Sequence, residues 1–414
     1  MNLSVIGLGK LGLCTALCFA NAGFKVWGVD LNINLIEKIK KGIPPFYEPE
    51  LEDFLKKAKN FFVSSDHKEA VKNSDVVFII VPTPSKQDGS FSNDFILKVF
   101  DEIGPTLKSL NRFVVIDVVS TVIPGAGESE LIPYLEKVSE KKVGKNLGYV
   151  YNPEFIAIGS VIRDFLNPDI VLIGESDKRS GDIIESIYKK VCRNNPYIAR
   201  TSIINAEIAK LSINCFCTMK ISFANYLSQL LDEIPGASAK EVTSIIGKDS
   251  RIGTKYISPG LGFGGPCFPR DNQAFIRFAK KYNKEAKLQE AVIEINRTQL
   301  NMAIEKISKE IKRKNPDVIV ALLGLAYKPY TYLTEESQQL EIAKNLAKNK
   351  NIKLLKVYDP LVKENYGWIN CNSLEECVKD ADIIAVLTPY PEFVNVEKWK
   401  NFIKPNAKII NFWS

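Results

Sequence analysis

Short, uninterrupted apolar runs alternate with stretches of helical periodicity along the first part of the chain. Leu3-Ser4-Val5-Ile6, Val26-Trp27-Gly28-Val29-Asp30, Val76-Val77-Phe78-Ile79-Ile80-Val81, Phe113-Val114-Val115-Ile116-Asp117 and Ile170-Val171-Leu172-Ile173-Gly174 are such runs. A run that is apolar without alternation is a strand covered on both faces, as in a parallel sheet. Strands alternating with helices predict a doubly wound domain ending near Pro196-Tyr197. From Ile203 to Ile234 the pattern becomes one long helix, with no glycine or proline before Pro235-Gly236. Its apolar residues line more than one face, which predicts burial. Helical pattern returns at Lys240–Ile246 and again from about Asp271 to Lys314, with a break near Asn283. The strand rhythm then resumes at Val318–Gly324, Lys353–Asp359, Ala381–Leu387 and Ile409-Ile410-Asn411. The predicted fold is α/β: two Rossmann-like doubly wound parallel-sheet domains, residues 1–198 and 301–414, joined by a helical central domain at 199–300.

Length agrees, since 414 residues suggest two or three domains. A hydrophobic content of 45% is ordinary for a globular chain. No apolar run approaches a membrane span, and no basic, apolar and cleavable segment opens the chain. The eight cysteines contain no C-x-x-C pair. A reduced, cytoplasmic chain is expected. Cys14 and Cys18 share one helix face and read as packing residues, as do Cys215, Cys217, Cys371 and Cys377. The net charge of +7 suits an anionic ligand such as a nucleotide, or simply a solvated basic surface. No dense Lys/Arg block points to nucleic acid. The single histidine, His67, sits at a polar helix start and is expected at the surface. Proton transfer in any reaction must then run through Lys, Glu, Asp or water.

Gly7-Leu8-Gly9-Lys10-Leu11-Gly12 follows the first strand and opens a helix. The first glycine permits the turn, the second lets a pyrophosphate approach the backbone, and the third allows close helix–strand packing. Asp30 closes the second strand at the spacing where a carboxylate binds ribose hydroxyls, which favours NAD. Val81-Pro82-Thr83-Pro84 and Val119-Ser120-Thr121-Val122 follow the carboxyl ends of two further strands, where open α/β sheets bind ligands. Ordinary turns have the same look. Tyr151-Asn152-Pro153-Glu154-Phe155 is another strand-end loop, and Glu154 there is a candidate general base or a solvated carboxylate. Glu207, Lys210 and Asn214 recur at helical spacing on one face. An ammonium and an amide aimed at one oxygen stabilise an oxyanion; the plainer alternative is a structural hydrogen-bond cluster.

Gly262-Phe263-Gly264-Gly265-Pro266-Cys267-Phe268-Pro269-Arg270-Asp271 carries the strongest chemical signal. Most cysteines outside disulfides are inert core residues. Cys267, however, follows two glycines and precedes a helix predicted to start around Pro269 to Asp271, and a helix N-terminus favours thiolate. A thiolate adds to an aldehyde and holds it as a thiohemiacetal that can give up a hydride, so a thiol beside a nicotinamide site points to aldehyde-level chemistry.

In this order the motifs resemble the UDP-glucose/GDP-mannose dehydrogenases, and within them the UDP-glucose 6-dehydrogenases. The likeness runs through Gly7 to Gly12, Tyr47-Glu48-Pro49, Val81 to Pro84, Ser120-Thr121, Asn152 to Phe155, Glu207 to Asn214, Lys220-Ile221-Ser222, Arg251-Ile252-Gly253, the Cys267 loop and Gly324-Leu325-Ala326-Tyr327-Lys328. It implies a four-electron, NAD-dependent oxidation of a nucleotide-sugar alcohol to the carboxylate, UDP-glucose to UDP-glucuronate in the first instance. It implies Cys267 as nucleophile, and Lys210 and Asn214 on the C6 oxygen with Asp271 assisting. Glu154 and Thr121 would serve the hydrolytic water. Gly7, Gly9, Lys10, Leu11, Gly12, Asp30, Thr83, Pro84 and Thr121 would hold NAD. Glu154, Phe155, Lys210, Asn214, Arg251, Tyr256, Phe263, Gly264 and Lys328 would contact the substrate. A homodimer on the central helix is implied, Arg251 reaching across it, with no metal, nucleic acid or membrane partner.

The chain departs from the family pattern at several places. The usual Asp falls on Leu333 and the usual Arg on Glu335; Leu35, Ile158 and Ser258 replace an Arg, a Glu and a Lys found in members. Three other readings remain. The substrate could be a UDP-HexNAc or GDP-mannose. The chain could be a single-step β-hydroxyacid dehydrogenase, which needs neither Cys267 nor a second α/β domain. It could be a non-catalytic NAD-dependent sensor or scaffold.

Overall fold

The computed structural model describes residues 1–314 and 317–413. The chain divides into two compact units, Met1–Ser212 and Ile213–Ser414.

In the first unit the strands are β1 (Asn2–Ile6), β2 (Lys25–Val29), β3 (Phe61–Ser64), β4 (Val76–Ile79), β5 (Val115–Val118), β6 (Gly148–Tyr151), β7 (Ile170–Glu175) and β8 (Tyr197–Thr201). They form one sheet in the order β3-β2-β1-β4-β5-β6-β7-β8. Successive residues feed opposite layers. Leu3, Val5, Val76 and Phe78 join one apolar cluster, while Ile6, Val77 and Ile79 join the other. Both faces are therefore covered, which is why these runs read as continuous rather than alternating. The chain order reverses between β1 and β4, and this switch point opens a crevice above the carboxyl ends of those strands.

The sheet is not wholly parallel. β6 and β7 pair antiparallel, while β7 and β8 run parallel to each other. Hydrophobicity reports burial, not direction; the connection through the short helix Val161–Leu166 decides the direction here. β8 also straddles the boundary expected near residue 198 and still belongs to this sheet.

His67 corrects a second expectation. It opens the helix His67–Asn73, and only 7% of it is exposed. The polar context belongs to Asp66, whose carboxylate accepts from the Lys68 and Glu69 N–H groups, while the imidazole next to it is buried. Burial depresses its pKa, so the ring favours the neutral form.

The helix Ile203–Leu231 runs through the division between the units. The second unit continues with the helices Ala239–Gly247, Phe268–Lys281 and Lys287–Arg313. The predicted break falls at Asn283, which takes a left-handed φ of 55° between the last two. Its sheet has β9 (Val318–Leu323), β10 (Ile352–Tyr358), β11 (Ile369–Asn370), β12 (Ile383–Val386) and β13 (Lys408–Asn411). The order is β11-β10-β9-β12-β13, and all pairs are parallel. No helix among the described residues is long and apolar enough to cross a membrane.

Candidate active site

At the switch point of the first sheet, Gly7 has φ +96°, and a Cβ there would lie 2.2 Å from the Ile80 carbonyl oxygen. A Cβ on Gly12 would lie 1.8 Å from the Gly7 carbonyl oxygen, while one on Gly9 would meet nothing within 4 Å. The outer glycines are thus required by packing. The middle one leaves open space at the N-terminus of the helix Lys10–Asn21, where backbone N–H groups face an incoming phosphate. Lys10 and Leu11 form its half-buried first turn.

Asp30 accepts from the Leu8 N–H and the Asn32 N–H, each at 2.8 Å, and stays partly exposed with acceptor capacity left for a ribose. The second sheet repeats the arrangement with a different outcome. Asp359, after β10, accepts from the N–H groups of Leu325, Ala326, Leu361 and Val362 and is buried. Its oxygens are occupied by the backbone. Only the first cradle fits a dinucleotide, and Asp30 fits the ribose role.

The loops after β4 and β5 are tied together beside this cradle. The Thr83 hydroxyl donates to the Thr121 carbonyl at 2.7 Å, and Ser120 Oγ accepts from the Val81 N–H at 2.9 Å. Thr83 is buried and Pro84 exposed.

After β6 the chain turns through Asn152-Pro153-Glu154-Phe155. Lys210 Nζ donates to the Glu154 carbonyl oxygen at 2.5 Å and lies 4.7 Å from the centre of the Phe155 ring. The Glu154 side chain turns inward, where the Tyr188 hydroxyl donates to Oε1 at 3.0 Å. Burial raises this carboxyl to about 7, against the lowering effects of Tyr188 and the Lys210 charge. A carboxyl so raised has the pKa that a proton acceptor at neutral pH needs, and it is not a fully solvated side chain. Glu207, expected on one face with Lys210, has a separate task. It accepts from the N–H groups of Gly125 and Gly127 at 2.6 and 2.8 Å and holds the segment following Thr121.

Sequence reasoning missed Tyr188, an apolar-looking position of the helix Lys178–Val191. It also missed the task of Glu48, a buried carboxylate that accepts from the Gly159 and Val161 N–H groups beyond Glu154. Neither has a local signal, because each partner is distant in sequence.

In the second unit, Cys267 is exposed and caps the helix Phe268–Lys281, starting one residue before the predicted range. Cys14, Cys18 and Cys215 are buried, and burial pushes their thiols up; Cys192, partly buried, is pushed up to about 12. Asp271, one turn after Cys267, is 2% exposed and accepts from Asn214 Nδ2 at 2.6 Å. The glycines before Cys267 are needed sterically. A Cβ on Gly264 would lie 2.2 Å from the Glu336 carbonyl oxygen, and one on Gly265 would lie 2.6 Å from the Tyr327 ring. Tyr327 and Glu335 therefore border the loop, and the charges of Cys267 and Glu335 join burial in raising the Tyr327 phenol. Phe263 is buried and meets Phe268 edge-on at 6.2 Å; the exposed Tyr256 meets the same ring at 6.1 Å. The Lys328 ammonium lies 5.8 Å from the centre of the Tyr327 ring. Arg251 is apart from this group, with 86% of its side chain exposed and a bidentate pair to Asp249.

A glycine cradle with a partly exposed carboxylate at the end of the second strand fits a Rossmann-type, dinucleotide-dependent oxidoreductase. Residues 1–192 match the NAD-binding domain of the UDP-glucose/GDP-mannose dehydrogenase family, 204–298 its central domain and 321–412 its UDP-binding domain. The chain belongs to that family of NAD-dependent nucleotide-sugar dehydrogenases. It is 33% identical to a UDP-glucose 6-dehydrogenase of Rickettsia bellii, over 99% of this chain and 94% of that protein. It is 32% identical to a GDP-mannose 6-dehydrogenase of Pseudomonas putida, over 93% and 90%. The solved UDP-glucose dehydrogenase of Pyrobaculum islandicum superposes with a TM-score of 0.89 at 29% identity, covering 100% of this chain and 94% of that one. A UDP-D-ManNAc dehydrogenase of Pyrococcus horikoshii gives 0.85 at 26%, covering 100% and 96%.

Proposed function

We propose that the chain oxidises the C6 alcohol of a nucleotide sugar to the carboxylate in two successive steps, with UDP-glucose as substrate and UDP-glucuronate as product. The observation that carries the reading is the exposed Cys267 at a helix start, followed one turn later by the Asp271–Asn214 pair. One oxidation of an alcohol needs no thiol; an aldehyde taken to an acid gains from one.

When bound in the glycine cradle, NAD⁺ accepts a hydride in each step. Cys267 adds to the C6 aldehyde and holds it as a thiohemiacetal, and loss of the second hydride leaves a thioester on its sulfur. Asn214 and Lys210 hold the C6 oxygen, donating to the charge that develops there. Asp271 orders water at Asn214. Glu154, held near neutral pKa by burial, takes a proton from the water that cleaves the thioester, with Thr121 orienting that water. Phe155, Tyr256, Phe263 and Gly264 line the sugar's surroundings. Lys328 and Arg251 bind the diphosphate, Arg251 from the second subunit of a homodimer. Its high exposure leaves it available for that reach. Phe216, Phe223, Tyr226 and Leu230 are exposed on the long helix at a spacing that gathers them on one side, which supports a dimer built there.

A second reading replaces UDP-glucose with GDP-mannose or a UDP-HexNAc. It is favoured by relatives of similar likeness that carry those names, and by Leu333 and Glu335 at positions where the family has Asp and Arg. A panel of nucleotide sugars decides between them. The expected outcome is two NADH per UDP-glucose consumed. Preference for another sugar moves the assignment, and one NADH per substrate ends the two-step reading.

A further inference from the structure

The loop that carries Glu154 is held at both ends by charged side chains, and only one of them belongs to the chemistry proposed above. At its start Lys210 donates to the Glu154 carbonyl oxygen, and Tyr188 donates to the Glu154 carboxyl. At its end Glu48 accepts from the Gly159 N–H at 3.0 Å through Oε2 and from the Val161 N–H at 2.8 Å through Oε1. Both carboxylate oxygens are therefore engaged, one on each side of Ser160. Gly159 takes φ +95°, the left-handed region that favours glycine.

Glu48 comes to this loop from 111 residues earlier. It lies in the arm between the helices Ile33–Lys40 and Leu51–Lys57. Tyr47 and Glu50 beside it are exposed, whereas only 5% of Glu48 is. Glu50 has a left-handed φ of 65°, costly for a residue with a Cβ. The turn is closed by the Leu51 N–H, which donates to the Glu48 carbonyl at 3.2 Å. A carboxylate left in water needs neither burial nor a strained turn.

The cradle helix Lys10–Asn21 meets the same place. The Glu48 charge acts on the Cys14 thiol of that helix. Ile156, Val161 and Ile162 pack in one apolar cluster with Cys14, Leu17 and Cys18. Within the loop, the Ser160 N–H donates to the Ala157 carbonyl at 3.1 Å and the Ser160 hydroxyl to Asp164 at 2.6 Å. These two bonds give the segment its shape. Lys210, Tyr188 and Glu48 tie it to other elements.

We propose that Glu48 is a positioning residue for Glu154: it clamps the far end of the Glu154–Val161 loop beside the cradle helix and so keeps the Glu154 carboxyl turned inward. The clamp stands by itself; its effect on turnover rests on the function proposed above. The titratable groups that interact with Glu154 are Tyr188 of the helix Lys178–Val191, Cys192 after it, Lys210 of the long helix, Asp117 of β5 and Cys18 of the cradle helix.

Hydrogen exchange read by mass spectrometry on the native chain, Glu48→Gln and Glu48→Asp tests the clamp. Gln keeps the shape but offers one acceptor and one donor to two N–H groups; Asp keeps the charge but is one methylene short. In both variants the peptide covering Glu154–Val161 should exchange about tenfold faster or more, with β1 and the helix Lys10–Asn21 unchanged. Kinetics at a temperature where both variants are fully folded test the positioning. Their kcat should fall about ten- to a hundredfold at unchanged KM for NAD⁺. The acid limb of kcat, expected near pH 7 from the raised Glu154 carboxyl, should move down by about one pH unit as water reaches that group. A carboxylate with a structural task alone would lower the melting temperature and leave the limb in place. Native exchange of the loop in both variants overturns the clamp. Faster exchange with a native kcat and an unmoved limb overturns the positioning role. So does a limb that moves in Gln but not in Asp, because charge rather than position would then be acting. A native chain with no dehydrogenase activity overturns the function, and with it the positioning role, while the exchange rates still decide the clamp.

Discussion

Lys210 Nζ donates to the main-chain carbonyl of Glu154, 56 residues earlier in the chain, at 2.5 Å. A buried ammonium thus holds the backbone of the residue proposed to take the proton. Replacing it with Met keeps the apolar contact to Phe155 and removes the donor. Lys210→Met should fold normally and lose about 10²–10³-fold in kcat, measured by NADH formation at saturating substrate. A loss confined to KM would place Lys210 in binding alone.

The raised Glu154 carboxyl has two consequences of pH. Acting as a base, it must be ionised, so activity should rise as pH passes through about 7. Stability should move the other way. The folded state holds this proton above the ordinary value of 4.5, so the associated stability is complete below that value and is lost as pH rises through about 7. Burial depresses His67, whose contribution has the opposite sign and is lost on acidification. The difference between native and Glu154→Gln isolates the carboxyl. On unfolding in urea, that difference should change by on the order of 1–3 kcal/mol between pH 5 and 8.

The cradle glycines separate folding from binding. Gly12→Ala puts a Cβ 1.8 Å from a carbonyl oxygen and should destabilise the fold by about 1–3 kcal/mol or more. Gly9 has φ −63° and open space around its Cβ position, so Gly9→Ala should melt like the native chain while binding NAD⁺ more weakly. Calorimetry and an NAD⁺ titration read the two effects. Asp30→Ala should likewise raise the NAD⁺ requirement.

Cys267→Ser should cut turnover at least about 10³-fold while leaving nucleotide-sugar binding close to native, by isothermal titration. Native turnover in this variant would remove the covalent step.

Asp271→Ala strands a half-buried Asn214 amide whose 2.6 Å acceptor is gone. It should cost about 1–3 kcal/mol in chemical denaturation. Asp271→Asn should recover most of the stability but not the rate of NADH production.

Local chemistry is what the chain states openly. The glycine fingerprint, the end of the long helix near Pro235-Gly236, the break near Asn283 and the thiol at a helix start all follow from steric demands within a few residues. So does the division into strands, because a covered strand must be apolar throughout. By itself, the sequence determined the two α/β sheets and the dinucleotide cradle, and it nominated the candidate site residues. Tertiary structure alone decided that β7 runs against β6, that His67 is buried beside its exposed cap, and that Glu154 turns inward to Tyr188. It also decided that Glu207 braces a loop rather than joining Lys210. The physical reason is separation. Glu154 and Tyr188 are 34 residues apart, and Asn214 and Asp271 are 57. A hydrogen bond or a desolvated carboxyl depends on which distant atoms arrive, and no periodicity in the chain records that.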